Sequence, residues 1–198
     1  GLVSLGYLWV TNPFDSVGEA EGKIKVYAYN SFPLKFKEGK VNIKAKSGYV
    51  AYTGQVKSGY CEGDGELYDE NGRLVYEGAF SKNKYNGFGK LYYPSSQLCY
   101  EGEFMDNLYQ GTGKLYKENG ILQYYGEFDG GYKDGFGELY NSTGEKIFEG
   151  EFSNNSLVYT QLLGKTPTEI NTLYTGEQII YSYENENAVM LNEIDALY

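Results

Sequence analysis

The chain has 198 residues, a formal net charge of −10, 27 glycines and 23 tyrosines against four prolines, and not one histidine. Without imidazole, neutral-pH acid–base catalysis and transition-metal binding lose their commonest side chain. With Arg73 the single arginine among 17 basic residues, the forked donor that grips phosphate is nearly missing, so no cofactor, metal or nucleic acid is expected.

The first ten residues, Gly1 to Val10, are far more apolar than the residues after them. They are too few to span a membrane. They read either as a first buried strand, the preferred reading, or as the outer end of a removed transmembrane helix or signal anchor with Tyr7 and Trp9 at the interface. Next, Lys23 to Tyr29 and Lys40 to Lys46 alternate apolar and polar side chains, which predicts two strands of a β cap.

From Tyr52 onward the chain repeats. Aromatic-x-Gly triplets begin at Tyr52, Tyr76, Tyr100, Tyr124 and Phe148, each 24 residues after the last. Glycine pairs keep the same step, at Gly63 and Gly65, Gly87 and Gly89, Gly111 and Gly113, and Gly135 and Gly137; so do the Leu-Tyr pairs from Leu67-Tyr68 to Leu139-Tyr140. Three features held in phase over four units define a repeat architecture. Within a unit, Tyr100 to Phe104 alternates as a half-buried strand does, and Gly113 to Tyr116 supplies a second. Asn71-Gly72, Asn119-Gly120 and Thr143-Gly144 fit primed hairpin turns, with Ser95-Ser96 the unit that lacks that chemistry. Seven residues after each unit start stand Gly59, Asn83, Asn107, Gly131 and Asn155, the residue types that best tolerate left-handed φ.

Tyr-Glu-Gly-x-Phe followed by Gly-x-Gly-x-Leu-Tyr, over about Tyr52 to Phe152, resembles the MORN repeat family. The resemblance implies an extended, twisted sheet of successive hairpins used as a scaffold, often near membranes, and lipid head-group binding is implied in the same way. The fifth unit departs from the pattern, with Tyr159 and Gln161 where glycines belong, as the capping end of an array does. Beyond it, Thr166, Pro167 and Glu169 form a helix start running to about Tyr174. Strands near Ile179 to Tyr183 and Ala188 to Leu191 come next, and Glu193 to Tyr198 opens a second helix.

Glu77, Glu101, Glu103, Glu127, Glu149 and Glu151 fall by alternation on one sheet face, opposite Tyr76, Phe80, Tyr100, Phe104, Tyr124, Phe128, Phe148 and Phe152. A solvated charged face, relieved by Lys90 and Lys114 on intervening strands, explains the carboxylates better than a glycosidase pair, because nothing suggests a pocket that would raise one pKa. A calcium cage lacks its loop grammar. The Gly-x-Gly elements precede no long helix, so they are assigned as structural turns, Gly87, Gly89, Gly111, Gly113, Gly135 and Gly137, and not as phosphate loops. Cys61 and Cys99 occupy unrelated phases of the repeat and are expected as two inert thiols.

The expected fold is mainly β, an elongated single-layer antiparallel sheet of tandem 24-residue hairpins. Residues 1–51 form the N-terminal segment and β cap, 52–155 the MORN array, and 156–198 a small α+β segment. The expected function is a non-enzymatic scaffold for protein partners. Lysine, asparagine, tyrosine and isoleucine enrichment, as an AT-rich genome produces, points to a low-GC bacterium, and the membrane proximity that the resemblance implies places the expected scaffold at its cell envelope or in a membrane-adjacent complex. A cytoplasmic placement and a homo-oligomer stay open. The expected interaction surface is the aromatic side, with Tyr100, Phe104, Tyr124, Phe128, Phe148 and Phe152. Two alternatives stand beside it: recognition of lipid head groups, which the acidic balance disfavours, and an accessory region of an enzyme whose catalytic part lies outside this chain.

Overall fold

A computed structural model describes residues 25–28, 34–158, 160, 169, 178–183 and 186–191. The apolar first ten residues, the helix expected from Thr166 apart from Glu169, and the segment after Glu193 lie outside them. The chain divides into two compact units, residues 1–109 and 110–198. The first contains β1 (Lys25–Ala28), a 3-10 turn (Leu34–Phe36), β2 (Glu38–Lys44), β3 (Val50–Lys57), β4 (Tyr60–Tyr68), β5 (Leu74–Ser81), β6 (Lys84–Tyr92) and β7 (Leu98–Met105). Then come β8 (Leu108–Tyr116), β9 (Leu122–Asp129), β10 (Tyr132–Tyr140), β11 (Lys146–Ser153), the short β12 (Ser156–Leu157), and a separate hairpin of β13 (Gln178–Tyr183) and β14 (Glu186–Leu191). The fold is mainly β, an open sheet of consecutive antiparallel hairpins in chain order. Both cap strands form, but β1 pairs with β2 in parallel, so the ladder of hairpins starts only at β2.

Two kinds of connection alternate. At Ser58-Gly59, Lys82-Asn83, Asp106-Asn107, Gly130-Gly131 and Asn154-Asn155 both central residues have positive φ, from 48° to 91°. These are the primed two-residue turns whose twist matches the flanking strands. The five Gly and Asn positions are thus left-handed, as their residue types require. The other connection corrects the expectation of primed turns at the Asn-Gly steps. Only the last residue is left-handed there, at Gly72, Gly120 and Gly144, and the partner strand shifts register beside it. Gly72 N–H donates to the Asp69 carbonyl at 3.0 Å, and Asp69 N–H to the Arg73 carbonyl at 2.9 Å, closing a longer loop that ends in a bulge. Ser96 adopts the same conformation, φ 67°, so the unit without an Asn-Gly step keeps the loop geometry.

The asparagines of the primed turns do more than tolerate their φ. Asn107 Oδ1 accepts from Tyr85 N–H at 2.8 Å while Asn107 N–H donates to the Tyr85 carbonyl at 3.0 Å, and Asn83 with Cys61 and Asn155 with Lys133 repeat the arrangement. Each turn is therefore pinned to the turn-proximal residue of the preceding repeat, 22 residues back. Asn107→Ala loses this bond and leaves at φ 73° a residue that tolerates left-handed backbone less well than asparagine, and should cost about 2 kcal/mol. Asn107→Gly keeps the backbone and loses only the bond, so about 1 kcal/mol is expected. Urea unfolding of the two variants measures the difference.

Candidate functional site: the two faces of the hairpin ladder

The repeat signatures meet at the aromatic side. In register across the first unit lie Gly54, Gly65, Gly78, Gly89 and Gly102, and across the second Gly113, Gly126, Gly137 and Gly150. Each row is smooth backbone, and onto it the tyrosine of the Tyr-x-Gly triplet lies down along its own strand. Tyr52, Tyr76, Tyr100 and Tyr124 donate their hydroxyls to the carbonyls of Gln55, Ala79, Glu103 and Glu127 at 2.7–3.1 Å. The rings fill the volume a β-carbon would take at the paired glycines: a methyl on Gly65 or Gly89 would fall within 2.6 Å of the Tyr52 or Tyr76 ring. With its hydroxyl satisfied locally, each of the four tyrosines is fully buried, at 0% exposure.

The buried rings then pack on one another. Tyr85 stacks on Tyr76 and Tyr109 on Tyr100 at 3.8 Å between centroids, and Phe80 and Phe104 meet these tyrosines edge to face at 5.0–5.3 Å. In the second unit Phe128 and Phe152 flank Tyr124 at 5.1 and 5.0 Å. Each such side chain contributes about 2–3 kcal/mol by burial. The structure therefore corrects the assigned interaction surface: Tyr100, Phe104, Tyr124, Phe128, Phe148 and Phe152 are 0–3% exposed and form the core. Gly87, Gly89, Gly111, Gly113, Gly135 and Gly137 likewise lie inside β6, β8 and β10 and not in connecting turns. The first of each pair has positive φ at a bulge, and the second belongs to the glycine row.

One core position breaks the pattern. Lys133 stands where Tyr85 and Tyr109 stand in earlier repeats, is 4% exposed, and holds its ammonium 5.3 Å from the centre of the Tyr124 ring. Burial pulls its pKa down to about 8. Cys61 and Cys99 are also buried and form no disulfide, and burial pushes the Cys61 thiol up to about 12, which makes it inert at neutral pH.

The opposite face carries the charges and the solvent contact. Glu77, Lys90 and Glu101 are register neighbours, with the Lys90 ammonium 3.7 and 3.8 Å from the two carboxylates, so the expected relief of the glutamate ladder is present. At 29–38% exposure these contacts are screened and add at most a few tenths of a kcal/mol, roughly. A row of tyrosines that sequence alternation does not single out stands beside them. Tyr92 donates to Glu77 at 2.6 Å, and Tyr68 and Tyr140 donate to Glu66 and Glu138. Among the large apolar side chains that stay exposed, Phe88 (59%), Tyr132 (52%), Phe136 (49%) and Tyr125 (40%) belong to this face. Gly-Phe-Gly is the available signal: the second glycine belongs to the row that faces the core, so the phenylalanine just before it faces away.

The family model described as MORN repeat matches residues 76–97, 100–121 and 124–146. No curated protein matches the chain. The aromatic-x-Gly and Gly-x-Gly signatures of the matched segments are the residues that seat each core tyrosine on glycine backbone, and residues 76–146 of this chain carry three MORN repeats.

Proposed function

We propose that the protein is a non-enzymatic scaffold that binds a protein partner through the charged, aromatic-studded face of its hairpins, at a bacterial cell envelope or membrane-adjacent complex. MORN repeats are generally interaction or membrane-binding repeats. The observation that carries the reading is the cluster on the β9–β10 hairpin, where Tyr125, Tyr132 and Phe136 stay 40–52% exposed while their core neighbours are buried. Rigid aromatic side chains on a regular backbone give contact area at little entropic cost. The membrane-adjacent placement is supported by the membrane binding of MORN repeats in general, and the bacterial source by the composition. Among the described residues no helix is long and apolar enough to cross a membrane.

Photo-crosslinking through residue 132 in the native host, followed by co-purification, tests the surface. Tyr125→Ser with Phe136→Ser should reduce partner recovery at least tenfold while changing the unfolding free energy by no more than about 0.5 kcal/mol. Undiminished recovery from the folded double variant would remove this face from the proposal. Liposome flotation of the same proteins separates a lipid partner from a protein one.

A further inference from the structure

Three residues after each aromatic start stand Gln55, Glu103, Glu127 and Glu151, but in the second repeat the residue is Ala79. The long side chains fold back over the bulge glycine of the next strand: Gln55 covers Gly63, and Glu127 covers Gly135 and accepts from Phe136 N–H at 2.8 Å. Ala79 reaches none of this. A β-carbon placed on Gly87 would meet only the Ala79 methyl, and Phe88 N–H, the counterpart of Phe136 N–H, gains no side-chain acceptor from Ala79. A trench of about 560 Å³ opens there on the solvent face of the first unit, a size typical of ligand clefts, at about 300–1,000 Å³. Its floor is the backbone of Gly54, Gly65, Gly78 and Gly89, and the 59% exposed Phe88 ring stands in it.

The trench is polar in both senses. Asp64, Glu66 and Glu77 line it as hydrogen-bond acceptors, and Lys40 and Lys90 as donors. Glu66 and Glu77 each hold a tyrosine hydroxyl, whereas the side chains of Asp64 and Lys40 make no hydrogen bond or ion pair among the described residues. A cationic ligand would meet two ammonium groups and an anionic one three carboxylates. A neutral ligand whose groups both donate and accept satisfies the whole lining, and hydroxyls do this. A flat apolar patch on the same ligand would cover Phe88.

We propose that this trench binds a neutral sugar chain, its hydroxyls shared among Asp64, Glu66, Glu77 and Lys90 and the C–H face of one ring against Phe88. The site is separate from the β9–β10 surface and does not depend on it.

Isothermal titration of the full chain with neutral trisaccharides of glucose (β-1,4 and α-1,4), mannose and N-acetylglucosamine, each to millimolar concentration, tests the assignment. At least one should bind. Ala79→Glu, which restores the residue type of the other repeats, should fill the trench and weaken binding at least tenfold with an unchanged melting temperature, and Phe88→Ser should do the same. Absence of heat and of amide chemical-shift change with all four sugars overturns the proposal, as does binding indifferent to Ala79→Glu. A short lysine-containing peptide that binds in an Ala79→Glu-sensitive manner while the sugars do not would reassign the trench to peptide and equally overturn it.

Discussion

Gly126→Val should lower stability by about 4 kcal/mol or more, close to the whole stability of many domains. A β-carbon on Gly126 would lie 2.5 Å from Gly137 Cα, 2.6 Å from Tyr124 Oη and 2.7 Å from the Phe136 carbonyl. Two of those neighbours are backbone of the paired strand and cannot turn aside, so relief requires opening the β9–β10 ladder. Gly137→Val should be comparable, because its β-carbon would fall 2.5 Å from Cε2 and Cζ of the fully buried Tyr124 ring. Gly126→Ala and Gly137→Ala, at about 2–4 kcal/mol, keep the comparison measurable if the valine variants do not fold. Gly135→Ala is milder, about 1–2 kcal/mol: its φ of 102° is strained for alanine, but the obstacle is the mobile end of Glu127. Glu103→Gln, on the solvent side, should stay within about 0.5 kcal/mol. Urea unfolding ranks the set, and Gly126→Ala within 0.5 kcal/mol of the parent protein would contradict the ring-on-glycine packing.

That ranking shows what a single sequence holds back. The 24-residue phase, the strands, the left-handed Gly and Asn positions and the glutamate–lysine ladder are legible because each arises from spacing along one segment of chain. The glycine pairs pass for turns in the sequence because their reason is a ring that begins on one strand and ends over another, and pairing register is not written in either segment alone. The Asn-Gly steps pass for primed turns from a similar cause. Asn119-Gly120 suits both a two-residue primed turn and a loop ending in a left-handed bulge glycine, and the count of residues between paired positions, Tyr116 with Leu122, decides between them. Tyrosine misleads the surface assignment in a third way. A hydroxyl is expected to seek water, but Tyr100 gives its proton to the Glu103 carbonyl at 2.9 Å, three residues along the same strand, and so the ring can be buried completely.

Lys133 gives the largest expected gain. At the same phase of the repeat stand Cys61, Tyr85, Tyr109 and Leu157, all buried, so the position is built for an uncharged side chain, and among the described residues no carboxylate pairs with Lys133. Burial lowers the Lys133 pKa from 10.5 to about 8 in the folded protein. Between about pH 8 and 10.5 the unfolded chain carries a proton at this lysine that the folded chain has released, so stability rises with pH through that window. Below about pH 8 both states are protonated and the full penalty remains, about 2–3 kcal/mol after the attraction of the ammonium to the Tyr124 ring is included. Lys133→Leu, which installs the residue already present at position 157, should therefore stabilise the protein by about 2–3 kcal/mol at pH 7, and the advantage should shrink toward zero as the pH approaches 10.5. Lys133→Tyr should match it at neutral pH if the new ring stacks on Tyr124 as Tyr85 does on Tyr76. Other lysines and tyrosines also titrate in this range, so the quantity to measure is the difference between variant and parent in urea unfolding at each pH from 7 to 10.5. A Lys133→Leu difference that stays constant across the series, whatever its size, would mean that the amine remains hydrated in the folded protein and that its charge is not what the position resists.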